Sequence, residues 1–147
     1  MKIYLSNQDT SRMMTELCNQ IVPIRNQFEH IVGIERGGVH ISKWLAYTLG
    51  KEHHSILISR YGDKEHTDGS CVCRIENLPH TPFLLVDDII DSGGTIQYFK
   101  ELIYKFIPKF WIATLHWCPE NSPKHRPDFF VAEKQKNDWI VYPWETE

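Results

Sequence analysis

An α/β architecture, a mainly parallel sheet flanked by helices, is predicted for this chain by three observations. Short apolar runs alternate with stretches of helical periodicity roughly a dozen residues long, the pattern of βαβ units. Two of those runs lead directly into glycine pairs, Gly37-Gly38 and Gly93-Gly94. The second of these runs, Phe83 to Val86, is apolar at every position and reads as a buried strand.

The elements follow in order. After a short apolar start, Asn7 to Ser11 offers several N-cap residues, and Met13, Met14, Leu17 and Ile21 keep helical spacing until Pro23. Phe28 to Ile34 is a strand candidate, Glu35-Arg36-Gly37-Gly38 a turn, and Ile41, Trp44, Leu45, Thr48 and Leu49 mark an amphipathic helix closed by Gly50. His54 to Ser59 is another strand. Arg60 to His80 is polar, holds only a weak strand in Cys71 to Ile75, and reads as a long mobile excursion of the kind that is usually functional. Phe83 to Val86 follows, then Ile96, Phe99, Leu102, Ile103 and Phe106 at helical spacing up to Pro108, then a strand over Phe110 to Trp117. Beyond it, Asp128 to Ala132 and Trp139 to Tyr142 are short β segments at one end of the molecule.

At 147 residues the chain fits a single domain, 1–147, with a core large enough to fold alone. Apolar residues make up 41% and charged residues 24%, which excludes disordered and fibrous classes. A formal charge of −3 argues against a protein held on nucleic acid by bulk electrostatics, so any anion site must be built locally. No secretory signal or bilayer-length apolar run is present, so no membrane partner is expected and the chain is placed in the cytoplasm. The four cysteines, at 18, 71, 73 and 118, read as reduced thiols. His66, Cys71, Cys73 and His80 match no common zinc spacing, and His53-His54 reads as a surface pair.

The chemistry concentrates in Val86-Asp87-Asp88-Ile89-Ile90-Asp91-Ser92-Gly93-Gly94-Thr95, where an apolar strand ends in three carboxylates and a glycine turn before a helix. Free amide N–H groups at a first helical turn favour phosphate, and Gly93 and Gly94 let the backbone approach it without a Cβ in the way. Asp87 and Asp88 project to opposite faces, so one can meet sugar hydroxyls while the other reaches a hydrated metal or anchors the turn. Because ligands of open α/β sheets bind at the carboxyl ends of strands, the turns at 37–38 and 93–94 can face one crevice, which predicts a ligand with two phosphate sites.

This segment resembles the signature of the type I phosphoribosyltransferases, in which an apolar strand, two acids, two apolar residues and Asp-(Ser/Thr)-Gly-Gly-Thr hold phosphoribosyl pyrophosphate (PRPP). The resemblance runs from about Phe28 to the C-terminus. It implies the type I phosphoribosyltransferase fold with a small C-terminal hood, mainly from 119–147. It implies too that Asp87 and Asp88 bind the ribose hydroxyls and Mg2+, that Ser92, Gly93, Gly94 and Thr95 hold the 5′-phosphate, and that Asp91 lies beside the reacting base. Ile34-Glu35-Arg36-Gly37-Gly38 looks like the family's pyrophosphate loop, with Arg36 as the clamp because a guanidinium can donate two parallel bonds to phosphate. Ser59-Arg60-Tyr61 opens the excursion where relatives carry a flexible loop that closes over PRPP and excludes water.

Asn137 to Glu145 resembles the tail of xanthine-guanine phosphoribosyltransferases and related purine enzymes, which implies Trp139 as a stacking platform and the backbone at Ile140 as reader of the base edge. In those relatives a lysine before a proline contacts the exocyclic oxygen of a 6-oxopurine; Cys118, before Pro119, stands in its place, and a thiol is a weak donor. The implied function is transfer of ribose 5-phosphate from PRPP to a base, with guanine, xanthine or hypoxanthine foremost, by a Mg2+-dependent homo-oligomer, dimer or tetramer. Two alternatives stand beside it: a non-catalytic regulatory protein that keeps the PRPP pocket for a nucleotide, and a transferase for another heterocyclic base.

Overall fold

The computed structural model describes residues 1–59, 72–73, 78–103 and 109–145. Arg60, Tyr61 and most of the polar excursion lie outside the described residues, as do Phe106 and Pro108.

The chain opens with β1 (Lys2–Tyr4) and α1 (Asn7–Ile21). Ser6 caps α1: its hydroxyl accepts from the Asp9 N–H while the Asp9 carboxylate accepts from the Ser6 N–H, a reciprocal capping box. The cap is thus one residue ahead of the Asn7 to Ser11 candidates. A 3-10 turn over Val22–Gln27, unforeseen from the sequence, carries Pro23 and leads to β2 (His30–Glu35). The helix α2 (Gly37–Leu49) ends at Gly50, whose left-handed φ of 68° is the conformation glycine adopts at least cost.

Next come β3 (Glu52–Ser59), β4 (Val72–Cys73), β5 (Phe83–Val86) and β6 (Ile89–Ile90). They are followed by α3 (Gly94–Ile103), β7 (Phe110–Trp117), β8 (Phe129–Glu133), β9 (Trp139–Val141) and a 3-10 turn over Pro143–Glu145.

The predicted architecture holds. β3, β2, β5 and β7 pair in parallel in that order, with β4 antiparallel outside β3 and β8 parallel along β7. β8, read from the sequence as part of the end piece, therefore belongs to the central sheet. β9 instead pairs in parallel with β1, so the N-terminal residues complete the small sheet at the hood.

Helices α1 and α2 cover one face and α3 the other. Leu17, Ile21, Ile41 and Leu45 meet Leu84, Val86, Ala113 and Leu115 on the first face, while Ile96, Phe99 and Ile103 meet Phe83, Leu85 and Ile112 on the second. This two-sided burial is why β5 is apolar at every position.

One irregularity matters for the site. β6 keeps the offset of β5 along β7, Phe83 lying opposite Phe110 and Ile89 opposite His116, yet the facing of the side chains reverses between Val86 and Ile89. Ile89 packs with Leu84 and Val86, and Ile90 with Phe83 and Leu85. β7 reverses at the same level, Trp117 joining the face of Ile112 instead of that of Ala113 and Leu115. The Asp88 carbonyl marks the place by accepting from both Leu115 N–H and His116 N–H, at 3.0 and 3.2 Å. Among the described residues no helix is long and apolar enough to cross a membrane.

Candidate active site

The carboxyl ends of β2 and β5 are neighbours, and glycines let them close on one another. A Cβ on Gly37 would stand 2.1 Å from Asp88 Oδ2, and one on Gly38 would stand 2.3 Å from the Val86 carbonyl oxygen. Both glycines therefore belong to the first turn of α2, with Arg36 at its N-cap, instead of to a separate turn as the sequence implies. Packing demands them there before any ligand does. The Glu35–Arg36 peptide is cis, the Glu35 carboxylate accepts from Ser55 Oγ at 3.0 Å, and Arg36 is exposed with no ion pair among the described residues. Glu35 and Arg36 line a cavity of about 430 Å3 with Val39, His40, Lys43, His53 and Ser55.

Asp87 and Asp88, in the step between β5 and β6, line different cavities. Asp87 joins Ile89, Ile90, Asp91, Ser92, Gly93, Gly94, Thr95 and Ile96 around a cavity of about 140 Å3 at the start of α3. Asp88 lines a second cavity, of about 210 Å3, with Ile89, Asp91, Lys134, Trp139, Ile140, Tyr142 and Glu145. Asp91 and Ile89 form the wall common to both. Gly93 holds φ at 80°, and a Cβ on it would come within 2.6 Å of His125, so the glycine serves both the turn and the close fit of the 122–125 segment.

The charges are arranged unequally. Burial, with the neighbouring Asp88 charge next, drives the Asp87 carboxyl well above the usual range; burial also raises Asp88, with Glu145 adding to it and Asp87 opposing. The buried Trp144 Nε1–H faces Asp88 and draws its carboxyl down, though without the geometry of a full hydrogen bond. Two adjacent acids, one buried and one half-buried, whose negative charge is disfavoured are what a hard, oxygen-seeking cation relieves, so this pair fits Mg2+.

Asp91 behaves in the opposite way. Burial works to raise it, but Lys134 Nζ donates to Oδ2 at 2.8 Å and Asn121 Nδ2 to Oδ1 at 2.7 Å, and the balance holds it below the usual carboxylate range. It is kept ionised with both oxygens engaged.

Lys134, which sequence reasoning did not single out, supplies the site's buried cation, with only 3% of its side chain exposed. Cys118, by contrast, is fully buried and absent from the cavity wall; its N–H bonds to the Ile90 carbonyl and its thiol lies against Asp91. Cys118, expected to touch a base, thus stands behind Asp91 and off this cavity's lining, where the Lys134 ammonium, just past the end of β8, is found. Trp139 is 62% exposed at the cavity mouth with Ile140 buried beside it, an open indole face where a platform was expected. Ser59 ends β3, and Arg60 and Tyr61, the rest of the expected closing loop, lie outside the described residues.

Behind this site runs a buried chain of hydrogen bonds. Tyr142 Oη donates to the Asp88 carbonyl at 3.1 Å and lies 2.7 Å from His116 Nδ1, so His116 is the Nδ1–H tautomer donating to the phenol. Tyr142 and Trp144 stack at 5.0 Å, and Trp144 stacks in turn on His40 of α2 at 5.2 Å. The hood is thereby tied to the acidic loop and to α2.

A parallel sheet whose strand ends carry a phosphate-sized glycine cradle, paired acids and a flat aromatic mouth defines an α/β protein built for a phosphorylated sugar and a planar ring. The comparisons with known proteins agree: residues 2–147 match the family model described as the phosphoribosyl transferase domain, and the chain belongs to that family. It is similar to the xanthine-guanine phosphoribosyltransferase of Desulfotalea psychrophila, 33% identical over 123 residues that span 82% of this chain and 72% of the relative. Among solved structures it is similar to a purine phosphoribosyltransferase from Pyrococcus horikoshii, with a TM-score of 0.82 and 26% identity over 99% of this chain and 95% of that one. The xanthine-guanine-hypoxanthine phosphoribosyltransferase of Helicobacter pylori has a TM-score of 0.78 and 25% identity over 99% of this chain and 94% of its own.

Proposed function

We propose that this protein transfers the phosphoribosyl group of PRPP to a purine carrying a 6-oxo group and releases pyrophosphate. The observation that carries the reading is Asp91, held ionised on the wall shared by the glycine cradle and the cavity with Trp139 and Lys134. A nucleotide bridging the two cavities has its 5′-phosphate at Ser92 to Thr95, its ribose along Asp87 and Asp88, and its base against Trp139. In the reaction the bond from sugar C1 to the pyrophosphate oxygen breaks with its electron pair on the leaving group, a ring nitrogen bonds to C1, and that nitrogen sheds its proton.

Each residue has a part in this reading. Arg36, with Glu35, Gly37 and Gly38, receives the pyrophosphate. The Asp91 carboxylate orients the ring N–H and faces the positive charge that grows on the sugar and base, a fixed charge in a partly dry site. Lys134 donates to the 6-oxo group, the place left open by Cys118, and the Ile140 backbone reads the ring edge. Mg2+ would be held by Asp87 and Asp88, and when bound it supplies positive charge to the departing pyrophosphate. We also place the protein in the cytoplasm as a homodimer or homotetramer, which light scattering of the purified chain tests.

The deciding experiment is pyrophosphate release with PRPP, Mg2+ and a panel of free bases. Turnover with guanine, xanthine or hypoxanthine above that with adenine is expected. No release with any base, together with tight binding of a nucleotide, would overturn the enzyme reading in favour of the regulatory one.

A further inference from the structure

At the other end of the sheet, where β2 and β3 begin, three side chains converge for which the transfer reaction has no use. His30 and Glu52 are direct cross-strand partners, and His54 is two residues beyond Glu52, so all three share one face of the ribbon. His30 Nδ1 is 3.0 Å from His54 Nε2 and 3.0 Å from Glu52 Oε2, and His54 Nε2 is 3.9 Å from the same carboxylate oxygen. An ion that binds nitrogen and oxygen at about 2.0–2.1 Å in tetrahedral geometry holds its ligand atoms about 3.3 Å apart, a spacing these three distances bracket. The rings, 5.1 Å between centroids and tilted by 55°, aim their nitrogens at one point instead of stacking.

We propose that His30, Glu52 and His54 form a divalent transition-metal site of the zinc class, distinct from the Asp87–Asp88 pair proposed for Mg2+ past the carboxyl end of β5. Two neutral imidazoles and one carboxylate are the donor set for zinc and its neighbours, whereas magnesium and calcium prefer all-oxygen sites. The side chains are 20%, 73% and 32% exposed for His30, Glu52 and His54, so an ion reaches them from solvent without local unfolding. With three protein ligands the fourth position is open to water or to a group from another molecule, unlike the closed four-ligand sites that hold small folds together. His53, whose ring bonds to Ser42 Oγ beneath α2, points to the other face and takes no part. The five residue steps from His30 to Glu35 set this site roughly 16 Å from the loop proposed for the pyrophosphate.

Zn2+ titrated into the full-length, metal-stripped protein by calorimetry tests the assignment, with His54→Ala and Glu52→Gln beside it. Wild type should take up one ion with micromolar affinity, His54→Ala should weaken that event at least 100-fold, and Asp87→Asn with Asp88→Asn should leave it in place. Co2+ should give the intense visible absorption of a four-coordinate site in wild type and lose it in His54→Ala, a readout that circular dichroism separates from misfolding. Absence of micromolar uptake, or uptake that survives His54→Ala and disappears with the Asp87/Asp88 pair, would overturn the proposal.

Discussion

Replacing His116 by Asn should flatten the acid side of the protein's stability curve. His116 is buried among apolar neighbours, and that burial lowers its pKa from 6.5 to about 4, so the folded protein refuses a proton that the unfolded chain accepts. The sign follows from linkage: stability contributed by the neutral ring is complete above 6.5, is lost as the pH falls toward 4, and changes no further below that. Integrated between pH 7 and about pH 4.5, the loss amounts to about 2.5 kcal/mol, a large share of the 5–15 kcal/mol typical of a domain. Asn places an amide N–H where Nδ1–H now donates to Tyr142, so the chain to the Asp88 carbonyl survives while the titrating group does not. The smaller side chain should cost roughly 1–2 kcal/mol at pH 7 through the space it leaves. Urea unfolding of both proteins across this pH range is the assay, and the difference between them is the quantity to read, because Asp87 and Asp88, with raised carboxyls, pull the wild-type curve the other way. Parallel curves for the two proteins would refute the assignment of a neutral, buried His116.

Three further outcomes are expected. Asp87→Asn with Asp88→Asn should abolish Mg2+-dependent PRPP binding in calorimetry and yet raise the melting temperature, since it removes two neighbouring carboxyls whose charged forms the fold disfavours; retained PRPP affinity would dissociate these acids from the metal. Lys134→Met should lower kcat/KM for 6-oxopurines by about 10–100-fold, the 1.5–3 kcal/mol scale of a charged hydrogen bond, and narrow the preference over adenine; unchanged steady-state kinetics would remove it from base recognition. Trp139→Ala should weaken base binding by roughly 1–3 kcal/mol and leave PRPP affinity intact, because the indole is open at the cavity mouth and remote from the glycine cradle; a normal KM for every base would make the indole mere hood surface.

The strands and the acidic motif were legible in the sequence where burial on both faces left no ambiguity: Phe83–Val86 and Phe110–Trp117 fall on their predicted bounds. Local rules misread what tertiary contact decides. Gly37-Gly38 looks like a turn because glycine breaks helices, but Asp88 and Val86 press on the first turn of α2 and admit no Cβ. β6 is only two residues long and carries no periodicity, and β1 becomes a strand only because β9 arrives beside it. Lys134 was illegible for the same reason. It follows a short strand among polar residues, and only the pairing of β8 with β7 brings it across to Asp91, 43 positions away in the chain.

The paired reversal of side-chain facing at Asp87–Asp88 and at Thr114–His116 constrains how the molecule can change length. A single residue added to or removed from one of these stretches would shift the register against the other strand, or turn Ile90 or Trp117 out of its core. Length can change there only in matched steps on two segments far apart in the sequence. Libraries that vary the Asp87-Asp88 dipeptide should therefore hold its length fixed and vary only residue type, and grafting this acidic corner into another scaffold means transplanting the middle of β7 with it.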